Sequence, residues 1–167
     1  MKVFILAALT ADGYIARDSS HLSTTWTTRT DKILFTRLTK QAGVAVMGYS
    51  SFATVGTALP GRRTIVYTRQ DRPAVEGVEF TAEDPAKLLQ QLEADGVKGV
   101  AICGGLHIYN LFMATGLVTE FYLTVQPVLF GQGIKMFDLP LDTKLELIDS
   151  AASAEDGTIT LHYRVAS

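Results

Sequence analysis

The chain has 167 residues, enough for one domain with a substantial core over residues 1–167 and too few for two. Hydrophobic residues make up 47% of the chain and charged residues 19%, so we expect a sizeable buried interior. The formal net charge of -2 argues against nucleic acid or an anionic membrane as the main partner, and the single cysteine, Cys103, excludes an intramolecular disulfide.

The chain opens with a short apolar run at residues 3–9. Only Lys2 is basic before it and Asp12 follows soon after, which favours a buried first strand over a signal peptide. No apolar run is long enough to span a bilayer. With only one cysteine, these features predict a cytoplasmic protein.

Short apolar and β-branched runs alternate with helical patterns along the first two thirds of the chain. Strands are predicted at residues 3–9, 43–48, 63–68, 77–80 and 99–103. Their hydrophobicity is continuous, which suits strands covered on both faces, and Cys103 is assigned to the last of them as a small buried residue.

Helical patterns lie between these strands. One runs from Asp31 to about Gln41 with Thr30 as its cap. A second follows the cap Asp84, with a proline in its first turn, and ends at Gly96. A third occupies residues 106–116.

After residue 118 the pattern consists of strands with little helix between them, so an antiparallel ending is expected. The predicted fold is therefore α/β: a single-domain, three-layer structure with a central mixed, mostly parallel sheet, helices on both sides and an antiparallel C-terminal end. His21 and His162 have no partner pattern and are assigned to the surface.

Asp31 is an acid on the apolar face of its predicted helix, three, four and seven residues before Leu34, Phe35 and Leu38. A charge on that face is costly unless a partner satisfies it. Asp31 could simply favour the first turn of the helix through the dipole. Its position on the apolar face favours a substrate contact instead.

Two stretches carry the pattern of a nucleotide site. Residues 102–109, ICGGLHIY, are a strand running into two glycines and a helix, a weak signal by itself. Residues 46–69 hold a strand ending in Met-Gly, two serines, the turn LPGRR and a further strand. This order resembles dihydrofolate reductase, as do AALTADGYIA at residues 7–16, the spacing of Trp26, Asp31 and Phe35, and YLT at residues 122–124.

The resemblance implies NADPH-dependent reduction of 7,8-dihydrofolate to tetrahydrofolate. It implies catalytic roles for Asp31 and Trp26, Asp31 anchoring the pterin. The implied substrate-binding residues are Ala7, Ala8, Phe35, Arg62 and Thr124, with Arg62 on the α-carboxylate. The implied cofactor-binding residues are Ile15, Gly48, Ser50, Ser51, Thr68, Arg69, Gly104, Gly105, His107 and Tyr109. No metal is expected, since no cluster has metal-ligand spacing.

The chain departs from the family in three places, one of them a longer loop between Ile15 and Trp26 that lacks the usual proline before the tryptophan. Tyr49 stands where the family has the arginine for the cofactor's 2'-phosphate, which leaves Arg69 and His107 as substitutes. Residues 126–137, QPVLFGQGIKMF, look more like the reductase domain of riboflavin biosynthesis. The alternative function is therefore reduction of a ribosylated aminopyrimidine, or an orphan reductase of the same fold.

A nucleotide-binding module without catalysis is a third reading. Asp31 speaks against it, because a pure binder has no need of a carboxylate on an apolar face. The partner expected from all of these features is a small molecule, and oligomerisation stays open.

Overall fold

The computed structural model describes residues 1–166. The strands are β1 Lys2–Thr10, β2 Tyr14–Ala16, β3 Val44–Gly48, β4 Arg63–Tyr67, β5 Val78–Thr81, β6 Gly99–Ile102, β7 Glu120–Gln126, β8 Ile134–Lys135, β9 Leu145–Ala152 and β10 Ile159–Val165. The helices are α1 Arg29–Ala42, α2 Tyr49–Ala53, α3 Pro85–Ala94 and α4 Leu106–Met113, with a 3₁₀ turn at Ser23–Thr25. Within these residues no helix has the length and apolar character needed to cross a membrane.

Eight strands form one sheet in the order β5-β4-β3-β6-β1-β7-β10-β9. The first six of these pair in parallel, and β10 runs antiparallel to both β7 and β9. β2 and β8 form a separate two-stranded ribbon. The predicted α/β fold, mostly parallel with an antiparallel C-terminal end, is confirmed.

The central strands are buried on both faces, as their continuous hydrophobicity predicted. In β1, Val3 and Ile5 pack into one cluster with residues of α3 and α4, while Phe4 and Leu6 pack into another with residues of α1. Ile5 is fully buried. Because successive side chains of a strand point to opposite faces, helices on both sides of the sheet give three layers.

The start of α1 differs from its prediction. The helix begins at Arg29, and its cap is Thr28, whose hydroxyl accepts from the Asp31 N–H at 3.4 Å. The predicted cap at Thr30 was wrong because Thr30 lies inside the first turn, where its N–H donates to Asp156 at 2.9 Å. Several threonines adjoin this helix start, so residue type alone could not choose among them.

Two predicted strands end one residue early. The strand predicted at residues 63–68 ends at Tyr67, and the one at 99–103 ends at Ile102. Cys103 therefore lies just beyond its strand instead of within it, partly buried. Desolvation raises the pKa of its thiol to about 12, so the thiol stays protonated at neutral pH.

Candidate active site

A cavity of about 740 Å³ opens at the carboxyl ends of β1, β3 and β6, between α1 and α4. In open parallel sheets, ligands bind in a crevice outside the carboxyl ends of the strands, at the point where the strand order reverses. The predicted site residues that line it are Ala7, Ala8, Ile15, Asp31, Phe35, Gly48, Ser50, Ser51, Gly104, Gly105, His107 and Tyr109. The structure thus brings together residues from five separate segments of the chain.

The other predicted site residues lie outside this lining: Trp26, Arg62, Thr68, Arg69 and Thr124. Arg62 donates from Nη1 to the Pro60 carbonyl at 3.2 Å, within its own turn. Thr68 and Arg69 follow the end of β4. The roles of all five stay predictions, and Thr124 reaches the cavity only through Asp31.

Asp31 is half-buried in the cavity wall, and its carboxylate has a fixed partner. The hydroxyl of Thr124, itself fully buried on β7, donates to Oδ1 of Asp31 at 2.5 Å. Burial nevertheless raises the pKa of Asp31, because desolvation outweighs the hydrogen bonds that favour the charged form. The site therefore holds a carboxylate whose proton affinity is above the ordinary value.

The first turn of α1 is fixed by residues from the end of the chain. The Thr28 N–H donates to the side chain of the buried Gln126 at 2.9 Å, and the Thr28 hydroxyl lies 2.5 Å from that of Thr158. The carboxylate of Asp156 accepts from the Thr30 N–H, and this bond holds the pKa of Asp156 well below its usual range. These contacts set the position of Asp31 on its helix.

Sequence reasoning missed this support for α1. The segment at residues 153–158 has the composition of a turn, and nothing in it indicates that it contacts a helix more than 100 residues earlier. The available signal was the acid Asp156 before Gly157, a pair typical of turns between strands.

At the opposite wall, two strand ends meet through their glycines. The Gly48 N–H donates to the Gly104 carbonyl at 2.8 Å, which joins the ends of β3 and β6. Gly104 has a φ of 101°, and the peptide bond to Gly105 is cis. A Cβ on Gly104 would lie 2.9 Å from the Tyr109 hydroxyl, so only glycine fits there.

Tyr109 anchors α4 beneath these glycines. Its buried hydroxyl donates to the Leu6 carbonyl of β1 at 2.9 Å. Burial raises the pKa of Tyr109 well above its usual range, so the phenol stays a neutral donor. The predicted cofactor residue is thus also a structural link between α4 and the central strand.

Asp12 links the end of β1 to the loop that follows β7. Its carboxylate accepts from the Thr10 hydroxyl at 2.6 Å and from the backbone N–H groups of Phe130 and Gly131 at 3.1 and 2.6 Å. Phe130 in turn packs edge-on against Trp26, with ring centroids 5.2 Å apart. The predicted loop tryptophan therefore lies in an aromatic cluster beside the cavity.

Both histidines assigned to the surface have specific partners. His21 lines the cavity and stacks on Trp26 with ring centroids 6.4 Å apart. His162 is half-buried, lies 2.7 Å from the Glu120 carboxylate and stacks on Tyr122 at 4.0 Å. Both side chains are half-buried, so they are partly exposed, as predicted, and partly covered by aromatic neighbours that no local motif indicates.

In the part of the chain that the structure describes, no group of three His, Cys, Asp or Glu side chains could hold a metal ion. The chain matches the dihydrofolate reductase family over residues 2–158. It belongs to this family. Two relatives are uncharacterised proteins of Bacillus subtilis (strain 168). YwjB is 28% identical, covering 97% of each chain, and YyaP is 21% identical, covering 97% of this chain and 94% of YyaP.

Three solved structures share the fold. A candidate riboflavin biosynthesis protein from Shewanella sp. PV-4 has a TM-score of 0.83 at 21% identity and full coverage of both chains. A pyrimidine reductase-like protein from Corynebacterium diphtheriae has a TM-score of 0.80 at 18% identity. The match covers 99% of this chain and 92% of that one. Dihydrofolate reductase from Enterococcus faecalis, solved with NADP(H), has a TM-score of 0.77 at 20% identity. The match covers 99% of this chain and 97% of that one. At such low sequence identities, these three similarities establish only that the fold is shared.

Tyr49, the residue that departs from the dihydrofolate reductase pattern, lines the cavity. The guanidinium of Arg72 lies over its ring, 3.7 Å from the centroid. Nearby, Tyr67 also lines the cavity, and its buried hydroxyl has no hydrogen-bond partner among residues 1–166. An unpaired buried donor at a cavity wall fits a ligand that carries acceptor oxygens, as a dinucleotide does.

Proposed function

We propose that the protein is an NADPH-dependent reductase that acts on the pterin ring of 7,8-dihydrofolate. The observation that carries the proposal is the position of Asp31, a partly desolvated carboxylate held by Thr124 in the wall of a cavity whose other wall is formed by glycines. The dihydrofolate reductase family is one of NADPH-linked oxidoreductases, and its match over residues 2–158 supports the same general chemistry here.

The residues at the glycine wall fit a nicotinamide cofactor. Gly48, Gly104 and Gly105 bring backbone to the cavity surface without side chains, and the hydroxyls of Ser50 and Ser51 lie beside them. The unpaired Tyr67 hydroxyl adds a donor. Bound NADPH would supply the hydride.

The chain's own groups orient the substrate and control one proton. Thr124 donates to Oδ1 of Asp31, and a carboxylate has further lone pairs with which to accept N–H groups of the pterin. A negative charge in a partly desolvated wall favours protonation of the ring nitrogen beside the hydride acceptor. Phe35, Ala7 and Ala8 supply apolar surface that keeps water from the ring.

A ribosylated aminopyrimidine is the second candidate substrate. The observation that favours it is the polar side of the cavity: Arg62, predicted to bind the folate α-carboxylate, is absent from the lining. In its place the lining holds one cation and several hydroxyl groups, from Lys32, Ser23, Thr24, Thr27 and Thr36. Such groups suit a sugar or phosphate as well as they suit a glutamate tail.

The test is oxidation of NADPH by the purified protein, followed through the loss of reduced-nicotinamide absorbance. Turnover with dihydrofolate would support the first candidate, and turnover only with the ribosylated aminopyrimidine would replace it with the second. Binding of NADPH with no turnover of either compound would favour a binding module and contradict the proposal.

A further inference from the structure

His21 and Trp26 form a stacked pair beside the cavity, in the loop that is longer than the family pattern. Their ring centroids are 6.4 Å apart, and their planes differ by 18°. Phe130 packs on both rings, at 5.4 Å from His21 and 5.2 Å from Trp26. His21 lines the cavity, whereas Trp26 does not. This wall therefore presents the histidine to a ligand, and the tryptophan supports the imidazole from behind.

The loop backbone fixes which nitrogen of the His21 ring carries the hydrogen. Nδ1 accepts a hydrogen bond from the Arg17 N–H at 3.1 Å. A ring nitrogen that accepts carries no hydrogen, so the hydrogen of the neutral imidazole lies on Nε2. The backbone N–H of His21 donates to the Asp18 carbonyl at 3.2 Å, which holds the residue in its turn. Among residues 1–166 Nε2 has no hydrogen-bond partner, so the ring keeps one unused donor.

This donor belongs to the same wall of the cavity as Asp31. Thr27 follows Trp26 in the chain and lines the cavity, and its side chain adjoins the Asp31 carboxylate. The two groups have opposite hydrogen-bonding roles: a charged carboxylate only accepts, while Nε2–H of a neutral imidazole only donates. The wall therefore offers one acceptor and one donor to a ring that lies against it.

One edge of the pterin ring complements this pair of groups. It carries N–H groups that donate to a carboxylate and, next to them, a carbonyl oxygen that accepts. We infer that Nε2–H of His21 donates to this carbonyl oxygen, so that His21 positions the ring together with Asp31. The inference rests on the proposed function, since it concerns the same ring in the same cavity. It assigns the substrate contact expected of Trp26 to the histidine stacked on it.

The experiment compares 7,8-dihydrofolate with its 4-amino analogue, in which an amino group replaces the ring carbonyl oxygen. Dissociation constants are measured by calorimetry in the presence of NADP+. His21→Phe keeps an aromatic ring on Trp26, and His21→Asn keeps an acceptor for the Arg17 N–H, but both variants lack Nε2–H. His162→Phe is the control, because it makes the same change at a half-buried histidine that stacks on Tyr122, outside the cavity lining.

Both His21 variants should bind dihydrofolate about three- to tenfold more weakly than the wild type, the effect of one lost hydrogen bond. They should bind the 4-amino analogue no more weakly, because an amino group gains nothing from a facing donor. The ratio of the two dissociation constants should therefore change about three- to tenfold. His162→Phe should leave this ratio at its wild-type value. A histidine that only held the loop would change both constants by the same factor.

An unchanged ratio in either His21 variant would overturn the inference and leave the proposed function standing. An equal change of the ratio in His162→Phe would do the same. A wild-type protein that binds neither dihydrofolate nor its 4-amino analogue would overturn the proposed function, and this inference with it.

Discussion

The two walls of the cavity are built on different principles. At the Asp31 wall, side chains from α1 and β7 meet around one charge, and the start of its helix is held by Gln126, Asp156 and Thr158. At the glycine wall, backbone meets backbone, and the fit depends on missing side chains. The first wall should therefore tolerate a change of charge without unfolding, while the second should respond to a single added methyl group.

The largest effect is expected at the first wall. Asp31→Asn keeps the shape and removes the charge, so turnover should fall by about 10²–10⁴-fold while the fold survives. Part of the loss should return at low pH, where solvent can supply the proton. Turnover and melting temperature are measured on the same variant. Asp18→Asn, at another acid of the cavity lining, should change turnover little.

A fully active but less stable Asp31→Asn protein would contradict both the proposed function and the contrast between the walls. It would show that Asp31 serves its helix through the dipole alone, a contribution of about 0.3–1 kcal/mol.

Gly104→Ala tests the second wall. The new methyl would lie 2.9 Å from the Tyr109 hydroxyl at a φ of 101°, so the variant should lose about 2–4 kcal/mol of unfolding free energy, together with cofactor affinity. Gly116→Ala is the matched control, because its φ of 68° is also positive but no atom lies within 4 Å of the added carbon. It should lose only about 1 kcal/mol. Equal losses in a denaturant titration would mean that crowding at Gly104 is unimportant.

Cofactor preference gives a smaller effect. If Arg69 binds the 2'-phosphate that Tyr49 cannot, NADPH should bind more tightly than NADH. Arg69→Ala should then reduce this preference for NADPH about tenfold. Arg69 is exposed after β4, so the substitution should leave stability unchanged. Equal affinity of the wild-type protein for both cofactors, measured by fluorescence titration, would rule this role out.

The smallest effect concerns stability and pH. Because burial raises the folded-state pKa of Asp31, the folded protein binds this proton more tightly than the unfolded chain. Ionisation of Asp31 therefore costs stability at neutral pH, and the cost disappears as pH falls below the unfolded value of about 3.9. Asp31→Asn should be the more stable protein at pH 7, with the difference shrinking towards pH 4. A stability difference that grows on acidification would mean that folding lowers the pKa of Asp31 instead of raising it.

Local patterns were sufficient for the individual strands and helices, since each depends on residues adjacent in sequence. The meeting of Gly48 with Gly104 depends on two strands that are distant in sequence, and neither local pattern shows it. Local patterns also placed Asp31 on the inner face of α1. They failed where a partner is distant: Thr28 is the cap of α1 because Gln126 and Thr158 hold it, and no pattern near residue 28 shows either contact. Arg62 was chosen by family spacing, while its side-chain direction depends on the packing of its turn.

The support of α1 by residues 153–158 also bears on when the site forms as the chain is made. The Thr30–Asp156 contact spans 126 residues, so it closes one of the longest loops in the protein. During synthesis α1 leaves the ribosome long before residues 153–158 exist. Asp31 would then lie on a helix without its final anchors until Asp156 and Thr158 have left the ribosome. The position of Asp31 is therefore completed only after residues 153–158 have been made.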